Sequence, residues 1–268
     1  MTDFESRPRV PAPAAAPFRG LRQVAPPPPE RPVPDVWDRR VASGLAFLRR
    51  RLTGEYEVDE FGFDRELTDT VLHPLLRPLY RDWFRVEVRG IENVPDKGAA
   101  LIVANHSGTV ALDALMLALA VHDEHPEKRY LRLLGADLVF RIPFVSELAR
   151  KHGSTLACNP DAERLLRAGE LVGVFPEGFK GIGKLYRDRY KLQRFGRGGF
   201  VSAALHTRVP IIPVSIVGAE ETYPMLGNFK PLADEADDPL VVFNLADQVR
   251  ETIQQTLHEL LDVRDLES

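Results

Sequence analysis

Short apolar runs and helical patterns alternate along the middle of the chain. The run at 100–103 is continuous, which is typical of a strand that is buried on both faces of a sheet. Strands that alternate with helices indicate an α/β fold, with a largely parallel central sheet flanked by helices. The predicted strands cover 86–88, 100–103, 130–134, 171–175 and 211–217. The predicted helices of this region cover 113–121, 144–151, 161–168 and 199–206.

Two helices with apolar faces are predicted before the first buried strand. The second runs from Leu67 to Trp83, and Pro74 and Pro78 are expected to kink or split it. The first carries five arginines, so it is a basic amphipathic helix that either lies on an anionic membrane surface or packs on the domain. Its apolar positions recur at helical spacing at Trp37, Val41, Leu45, Leu48 and Leu52.

The first 34 residues differ from the rest in composition, because ten of the 22 prolines lie there. Such a segment favours polyproline II structure or disorder and cannot build a core. We therefore divide the chain into a disordered Pro/Ala-rich tail over 1–34, an amphipathic helical segment that faces the membrane over 35–85, and an α/β domain over 86–268.

Composition excludes several classes of function. The formal net charge is −4, so the overall charge gives no reason to expect nucleic acid as a partner. Cys158 is the only cysteine, which excludes an intramolecular disulfide and a zinc site built from cysteines. No secretory signal pattern is present, and the apolar runs fall short of the roughly 18–20 residues that span a membrane. We expect a cytoplasmic protein that binds peripherally to the inner face of the cell membrane.

The residues directly after the strand predicted at 100–103 carry the strongest candidate chemistry. His106 is a candidate general base, and Asp113, seven positions later, can orient its imidazole ring. Glu177 also follows a predicted strand directly. Because ligands on a parallel sheet bind at the carboxyl ends of the strands, both positions lie where an active site is expected. The chain is therefore predicted to be an enzyme.

Four segments, in order along the chain, carry a family resemblance: 105–113, 135–159, 175–180 and 209–214. Together they resemble the glycerolipid acyltransferase family, typified by lysophosphatidic acid (1-acyl-sn-glycerol-3-phosphate) acyltransferase. The resemblance implies transfer of a fatty acyl group from acyl-CoA or acyl carrier protein to a hydroxyl of a lysophospholipid, as in phospholipid biosynthesis. The leading acceptor is 1-acylglycerol-3-phosphate, and 86–268 is then the acyltransferase domain.

The resemblance also implies roles for individual residues. His106 removes the proton of the acceptor hydroxyl, and Asp113 holds the ring and stabilises its charged form. No covalent acyl-enzyme, cofactor or metal is required. The third segment and the basic stretch after it supply the residues expected to bind substrate, which are Glu177, Gly178, Lys180, Arg187, Lys191 and Arg194. That stretch, with Lys184 among its cations, is predicted to meet a phosphate, an acidic carrier protein or the membrane surface.

Three positions depart from the family pattern. Six residues separate His106 from Asp113, where the family usually has four. The arginine that ends the family's second segment is replaced near Asn159, and the usual Thr-Arg of the third segment is Phe179-Lys180 here. These changes keep two alternatives open, namely a lipid acceptor without a phosphate and a non-catalytic lipid-binding protein that retains the fold.

Other chemistries fit the sequence less well. Residues 178–184 match the phosphate-binding pattern Gly-x-x-x-x-Gly-Lys, but Leu185 stands where that loop needs a serine or threonine for magnesium. Ser107 lies outside any Gly-x-Ser-x-Gly elbow, so a serine hydrolase is not favoured. A further polar group at a predicted helix end is interpreted as a polar loop rather than a metal site, and it consists of His122, Asp123, Glu124 and His125.

Overall fold

The computed structural model describes residues 36–108, 111–196, 198–222 and 240–267. The chain falls into two compact units, divided between Glu55 and Tyr56. The described part of the first unit is helix α1 (Val36–Thr53), which confirms the first predicted helix. It ends where Gly54 adopts a left-handed φ of 76°, a conformation that glycine takes without a steric penalty. The proline-rich tail predicted over 1–34 lies outside the described residues.

The second unit is built on a five-stranded parallel sheet, which confirms the predicted α/β fold. Its strands are β1 (Ala100–Ala104), β2 (Leu131–Gly135), β3 (Thr155–Leu156), β4 (Leu171–Val174) and β5 (Ile211–Val214). The strand order is β3-β2-β4-β1-β5, so β1 lies between β4 and β5. Ile102 of β1 lies opposite Gly173 and Ile212, and every residue of β1 is buried.

Helices cover both faces of this sheet. The described helices of the second unit are α2 (Arg65–Leu67), α3 (His73–Pro78), α4 (Leu112–Glu124), α5 (Asp137–Arg141), α6 (Val145–Lys151), α7 (Asn159–Arg167), α8 (Phe179–Ile182), α9 (Gly199–Thr207), α10 (Ala219–Thr222) and α11 (Leu240–Glu267). On one face α4 packs against Ile102 and Leu131. On the other face α7, α9 and α11 pack around Leu101, Val103 and Val172. Alternate residues of each strand therefore enter two separate apolar cores.

The strand predicted over 86–88 is wrong. These residues form no strand, and Val86 and Val88 pack, partly buried, on a cluster that includes Met116 and Leu119 of α4. An extended segment that lies on a helix buries every second side chain, as an edge strand does. The alternation of apolar and polar residues therefore indicates a half-buried segment, but it does not distinguish burial against a sheet from burial against a helix.

The apolar helix predicted from 67 to 83 continues through both of its prolines instead of splitting. In the turns Thr68–Leu72 and Leu79–Trp83, which flank α3, the closing hydrogen bonds reach back five residues, as in a π-helix. We infer that these wider turns accommodate the hydrogen bonds that Pro74 and Pro78 cannot donate. We call the continuous segment the 65–83 helix.

Helix α4 lies between the sheet and the 65–83 helix. Its sheet-facing side belongs to the core around Ile102, and its other side buries Met116, Leu119 and Ala120 against Tyr80. A helix that is apolar on both sides is typical of an interior position. The residues at both ends of α4 are consequently held at fixed places in the second unit.

Tyr190 connects the chain after β4 to the chain after β5 and to α11. Its hydroxyl accepts a hydrogen bond from Gly218 N–H (2.9 Å) and donates one to Glu221 Oε1 (2.9 Å). Its carbonyl accepts a hydrogen bond from Gln254 Nε2 of α11 (2.8 Å). Burial raises the pKa of the Tyr190 hydroxyl to about 12.

The substitution Tyr190→Phe is expected to lower the free energy of unfolding by about 1–3 kcal/mol at neutral pH, because it leaves Gly218 N–H without its partner. Above its ordinary pKa of 10.0, tyrosine ionises in the unfolded chain, whereas the folded protein keeps Tyr190 protonated up to about pH 12. Unfolding is therefore favoured as the pH rises through this window. The advantage of the wild type should be constant below pH 10 and shrink by roughly 3 kcal/mol between pH 10 and 12.

The measurement is urea unfolding of both proteins at several pH values. Tyr186→Phe is the matched control, because it removes a phenol hydroxyl but keeps the ring that stacks on Arg189. A difference between wild type and Tyr190→Phe that stayed constant from pH 8 to 12 would contradict the assignment.

Candidate active site

The site begins at Asn105, the first residue after β1. The Asn105 side chain is 1% exposed; its Oδ1 accepts a hydrogen bond from Ile216 N–H (2.7 Å), and its Nδ2 donates one to the Ile216 carbonyl (2.9 Å). These two bonds tie the end of β1 to the chain that follows β5. The backbone therefore leaves the sheet at a fixed point, and His106 is presented at the carboxyl edge. No local pattern indicates this role of Asn105, because Ile216 lies 111 residues away along the chain.

His106 and Asp113 form a hydrogen-bonded pair, with 2.7 Å between His106 Nδ1 and Asp113 Oδ2. The Asp113 carboxylate is fixed, because Oδ2 also accepts Ser107 N–H (2.9 Å) and Oδ1 accepts Ala114 N–H (2.8 Å). A buried carboxylate on Nδ1 favours the tautomer in which Nδ1 carries the proton and Nε2 carries the lone pair. The ring of His106 also contacts Phe175, with 4.7 Å between ring centroids. The pair has the geometry of an oriented general base.

The longer spacing between these two residues does not keep their side chains apart. Gly108, shortly after β1, has a φ of 76°, and Asp113 lies in the first turn of α4. Because α4 is fixed by packing on both sides, its first turn brings the carboxylate back to the imidazole. Six intervening residues therefore do not separate the pair.

A buried ion cluster of Glu177, Lys184 and Glu220 supports the backbone of His106. Glu177 Oε1 accepts His106 N–H (3.1 Å), and Oε2 accepts Gln193 N–H (2.8 Å). The Lys184 ammonium lies 3.2 Å from Glu177 Oε2 and 2.9 Å from Glu220 Oε1. The side chains of Glu177 and Lys184 are only 0% and 3% exposed. Burial raises the pKa of the Glu220 carboxyl, and the charge of Lys184 opposes that rise.

This cluster changes two expectations. Lys184 was expected on a basic surface, but it is buried between two carboxylates that neutralise it. Glu177 was expected to bind substrate, whereas its oxygens are occupied by two backbone N–H groups and an ammonium group. Glu220 had no signal in the sequence, because its partners lie 30 and 36 residues away.

Gly181 allows the turn of α8 to approach His106 closely. A Cβ atom at this position would lie 2.8 Å from the Cβ of Glu177 and 3.0 Å from the His106 carbonyl oxygen. Contacts this short are repulsive, so a larger residue would displace the base or the carboxylate that holds it. The chain after β4 can approach the end of β1 because this residue is glycine.

The remaining predicted binding residues lie on the surface. Gly178 and Lys180 are exposed at the start of α8, and Arg194 is exposed beyond it. The side chains of Arg187 and Lys191 are 80% and 72% exposed and lie 3.5 Å and 3.6 Å from Asp188. These cations are accessible to an anionic ligand, and their role in binding remains a prediction.

A cleft of about 580 Å³ adjoins the pair, with Ser107 and Asp113 in its wall. Its other walls come from α4, from 83–89, from 214–219 and from the last turns of α11. Ligand pockets commonly have volumes of about 300–1,000 Å³. The apolar part of the lining includes Val86, Leu112, Met116, Val214, Leu260 and Val263. The rest of the lining is partly charged and includes Arg85, Glu87, Arg89 and Arg264. The sequence did not reveal this cleft, because its walls come from distant segments.

A model of the Acyltransferase family matches residues 85–217 of the chain. The uncharacterized protein Rv0502 of Mycobacterium tuberculosis is 52% identical over 265 residues, covering 82% of this chain and 74% of that protein. A Homo sapiens protein described as a DGAT1/2-independent enzyme synthesizing storage lipids is 30% identical over 151 residues, which covers 54% of this chain and 44% of that protein.

A solved structure shares the fold. It is the crystal structure of PlsC, a 1-acyl-sn-glycerophosphate (LPA) acyltransferase from Thermotoga maritima, with a TM-score of 0.51 and 22% identity. The match covers 82% of this chain and 89% of that chain.

The substitution Gly181→Ala is expected to lower the free energy of unfolding by about 1–3 kcal/mol, because its Cβ overlaps Glu177 and the His106 carbonyl. Gly196→Ala is the matched control, since a Cβ there meets only the Pro176 carbonyl oxygen, at 3.7 Å. Urea unfolding of both variants measures the effect. If both variants lost the same free energy of unfolding, the close approach at Gly181 would not be what destabilises Gly181→Ala.

Proposed function

The chain belongs to the glycerolipid acyltransferase family, and we propose that it transfers a fatty acyl group from acyl-CoA or acyl carrier protein to the free hydroxyl of 1-acylglycerol-3-phosphate. The chain is an acyltransferase; the donor and the acceptor are the proposed part. The observation that carries the proposal is the 2.7 Å contact between His106 and Asp113 at the edge of an apolar cleft.

In the proposed reaction, the acceptor hydroxyl donates a hydrogen bond to His106 Nε2. Nε2 takes the proton as the oxygen attacks the thioester carbonyl carbon, and Asp113 stabilises the imidazolium that forms. The tetrahedral intermediate then breaks its carbon–sulfur bond, and the leaving thiolate takes the proton from Nε2. One ester bond forms and one thioester bond breaks, so the histidine returns to its starting state.

We assign the acyl chain to the cleft beside His106 and Asp113. Its lining from α4 and α11 is largely apolar, and Ser107 and Asp113 stand in its wall. Burying the chain there removes apolar surface from water at roughly 25 cal/mol per Å². A chain held in this way would present its thioester carbonyl near the imidazole of His106.

We assign the exposed cations after β4 to the charged parts of the substrates. Gly178, Lys180, Arg187, Lys191 and Arg194 are exposed positions within the partly buried segment that begins next to Glu177. Lysine and arginine bind phosphate through charge-assisted hydrogen bonds, so this stretch suits an acceptor phosphate, the phosphates of CoA or an acidic carrier protein. Glu177 has the different role of positioning the His106 backbone.

A second candidate is transfer to an uncharged lipid acceptor. Two observations favour it: the human relative is described as synthesizing storage lipids, and the arginine of the family's second segment is replaced near Asn159. The non-catalytic alternative is less favoured, because its main argument was the altered spacing of His106 and Asp113, and the two side chains are in contact.

The substitution His106→Ala is expected to lower acceptor-dependent release of thiol from a long-chain acyl-CoA by about 10²–10⁴-fold, the usual contribution of a general base. Asp113→Asn should also lower the rate, since an amide cannot stabilise the imidazolium as a carboxylate does. Release of thiol and formation of the lipid product are measured together. His206→Ala, at an exposed histidine paired with Glu163, is the control. Equal rates for His106→Ala and wild type would show that the base is assigned wrongly.

The same assay identifies the acceptor when it is run with 1-acylglycerol-3-phosphate, another lysophospholipid and diacylglycerol. Preference for the first supports the leading proposal, and preference for diacylglycerol supports the second candidate. Absence of transfer with every pair of donor and acceptor, including an acyl carrier protein donor, would support the non-catalytic reading.

We also propose peripheral binding to the cytoplasmic face of the cell membrane. Among the described residues no helix is long and apolar enough to cross a bilayer. The chain between β2 and β3 leaves the sheet at its carboxyl edge, and it exposes Leu138, Ile142, Phe144 and Leu148. Phe144 is 88% exposed and has a φ of 62°, which is unfavourable for a bulky residue. Exposed apolar patches of this kind mark membrane or protein contacts.

The double substitution Phe144→Ser and Leu148→Ser is expected to reduce flotation with anionic phospholipid vesicles several-fold, because it removes apolar side chains that would enter the bilayer. Leu205→Ser is the matched control, since Leu205 is 55% exposed and Leu148 is 52% exposed, but Leu205 lies at the end of α9 that leads to the amino end of β5. Deletion of residues 36–52 tests α1 in the same assay. Unchanged flotation of both variants would contradict the membrane proposal.

A further inference from the structure

A second cluster of titratable side chains lies at the other end of α4 from the catalytic pair. Asp69 and His73 come from the 65–83 helix, and His122 comes from the last turn of α4. His122 follows Asp113 by nine positions on α4, which corresponds to about 14 Å along the helix axis. The cluster is therefore separate from the active site, and the proposed reaction does not use it.

His122 is held with a lone pair directed at a carboxylate. Its Nδ1 lies 3.0 Å from Asp123 Oδ1, and Arg77 binds the same carboxylate through two hydrogen bonds of 2.7 Å and 2.8 Å. An ionised Asp123 accepts a hydrogen bond from Nδ1, so the neutral ring carries its lone pair on Nε2. That Nε2 lies 3.5 Å from Asp69 Oδ1. When the ring is neutral, His122 Nε2 and Asp69 Oδ1 are both hydrogen-bond acceptors, and no proton lies between them.

His73 supplies a third acceptor to the same space. Its side chain is only 2% exposed, and its Nδ1 has no hydrogen-bond partner among the described residues. Nδ1 lies 3.9 Å from Asp69 Oδ1, which is beyond hydrogen-bonding distance. Burying a polar atom without a partner is unfavourable, so the unpaired Nδ1 of His73 points to a ligand that binds there.

The three ligand atoms have the arrangement of a metal site. One ligand atom from each of Asp69, His73 and His122 lies within 4.8 Å of the other two, and Asp69 Oδ1 is 3.9 Å from His73 Nδ1 and 3.5 Å from His122 Nε2. In a tetrahedral zinc site with bonds of 2.0–2.1 Å, ligand atoms are about 3.3 Å apart, so the two distances from Asp69 Oδ1 need to close by only a few tenths of an ångström.

The groups behind these ligands also fit a metal site. Tyr130 donates a hydrogen bond to Asp69 Oδ2 (2.6 Å), which leaves Oδ1 free to face the histidines, and Asp123 fixes the ring of His122. A carboxylate behind a ligating histidine is a recurrent feature of zinc sites. Asp69 is 44% exposed, so an ion can enter from solvent and keep a water molecule as its fourth ligand.

We propose that Asp69, His73 and His122 bind one divalent transition-metal ion, with Zn²⁺ as the best match to two imidazoles and one carboxylate. Bound there, the ion joins the 65–83 helix to the end of α4 and has a structural role. This replaces the expectation that the chain holds no metal. His125 takes no part, because its Nε2 lies 3.0 Å from the Val94 carbonyl.

The test measures metal content of the full chain after chelator treatment and equilibration with Zn²⁺. Wild type is expected to retain one equivalent, and its thermal unfolding temperature should rise with Zn²⁺. His73→Gln and Asp69→Asn should lose the bound ion. Asp123→Asn should weaken binding by about 10–100-fold, as expected for a group behind a ligand. His206→Gln is the matched control, since His206 also pairs with a carboxylate, that of Glu163.

Co²⁺ gives a second readout, because four-coordinate Co²⁺ with histidine ligands has strong visible absorption. Wild type and His206→Gln should show this absorption, and His73→Gln should not. Asp69→Asn changes an exposed side chain, so it remains informative if the buried His73→Gln variant fails to fold. Less than a tenth of an equivalent of Zn²⁺ in wild type, or equal binding by wild type and Asp69→Asn, would overturn the proposal.

Discussion

The buried carboxylate of Glu177 joins three parts of the chain that meet at the carboxyl edge of the sheet. It accepts the N–H of His106 after β1 and the N–H of Gln193, and through Lys184 it is linked to Glu220 after β5. Removing such charges from water is expensive unless every one is paired and hydrogen-bonded. Here each carboxylate has backbone donors as well as the ammonium group. The backbone that carries the base is therefore held by a network that tolerates little displacement.

Helix α4 applies a second constraint to the same site. Its two apolar sides are buried against the sheet and the 65–83 helix, so it cannot rotate without exposing one of them. Asp113 in its first turn is consequently fixed relative to β1. The packing of α4 therefore helps to hold the Asp113 carboxylate within hydrogen-bonding distance of His106. His122 in the last turn is fixed by the same packing. One buried helix thus sets the position of a carboxylate at one end and of an imidazole at the other.

The sequence predicted features that depend on local periodicity. Four of the five predicted strands, the helices between them and the placement of His106 after β1 are confirmed, because buried strands and helices differ in the spacing of apolar residues. Features that depend on distant partners were not predicted. The segment at 86–88 has the pattern of a strand but packs on α4, and β3, with two residues, is too short to have a pattern.

The same distinction applies to the site. The sequence predicted Lys184 to be a surface cation, because its distant partner Glu220 could not be recognised from local spacing. The pair of His106 and Asp113 could be proposed because its members lie only seven positions apart.

The carboxyl edge of the sheet therefore combines charge, a cleft and apolar surface within one unit. The proposed catalytic pair joins the end of β1 to the start of α4, the cleft opens beside it, and the chain with the exposed apolar residues leaves β2 at the same edge. An acyl chain that passes from a bilayer into such a cleft exchanges one apolar environment for another, which lowers the desolvation cost of reaching the proposed base. The exposed cations after β4 would meet a phosphate at the headgroup level, where charge remains hydrated. This edge would hold the apolar chain and the charged headgroup of a lipid on separate surfaces, as a membrane does. The proposed membrane contact and the proposed reaction therefore require the same orientation of the sheet.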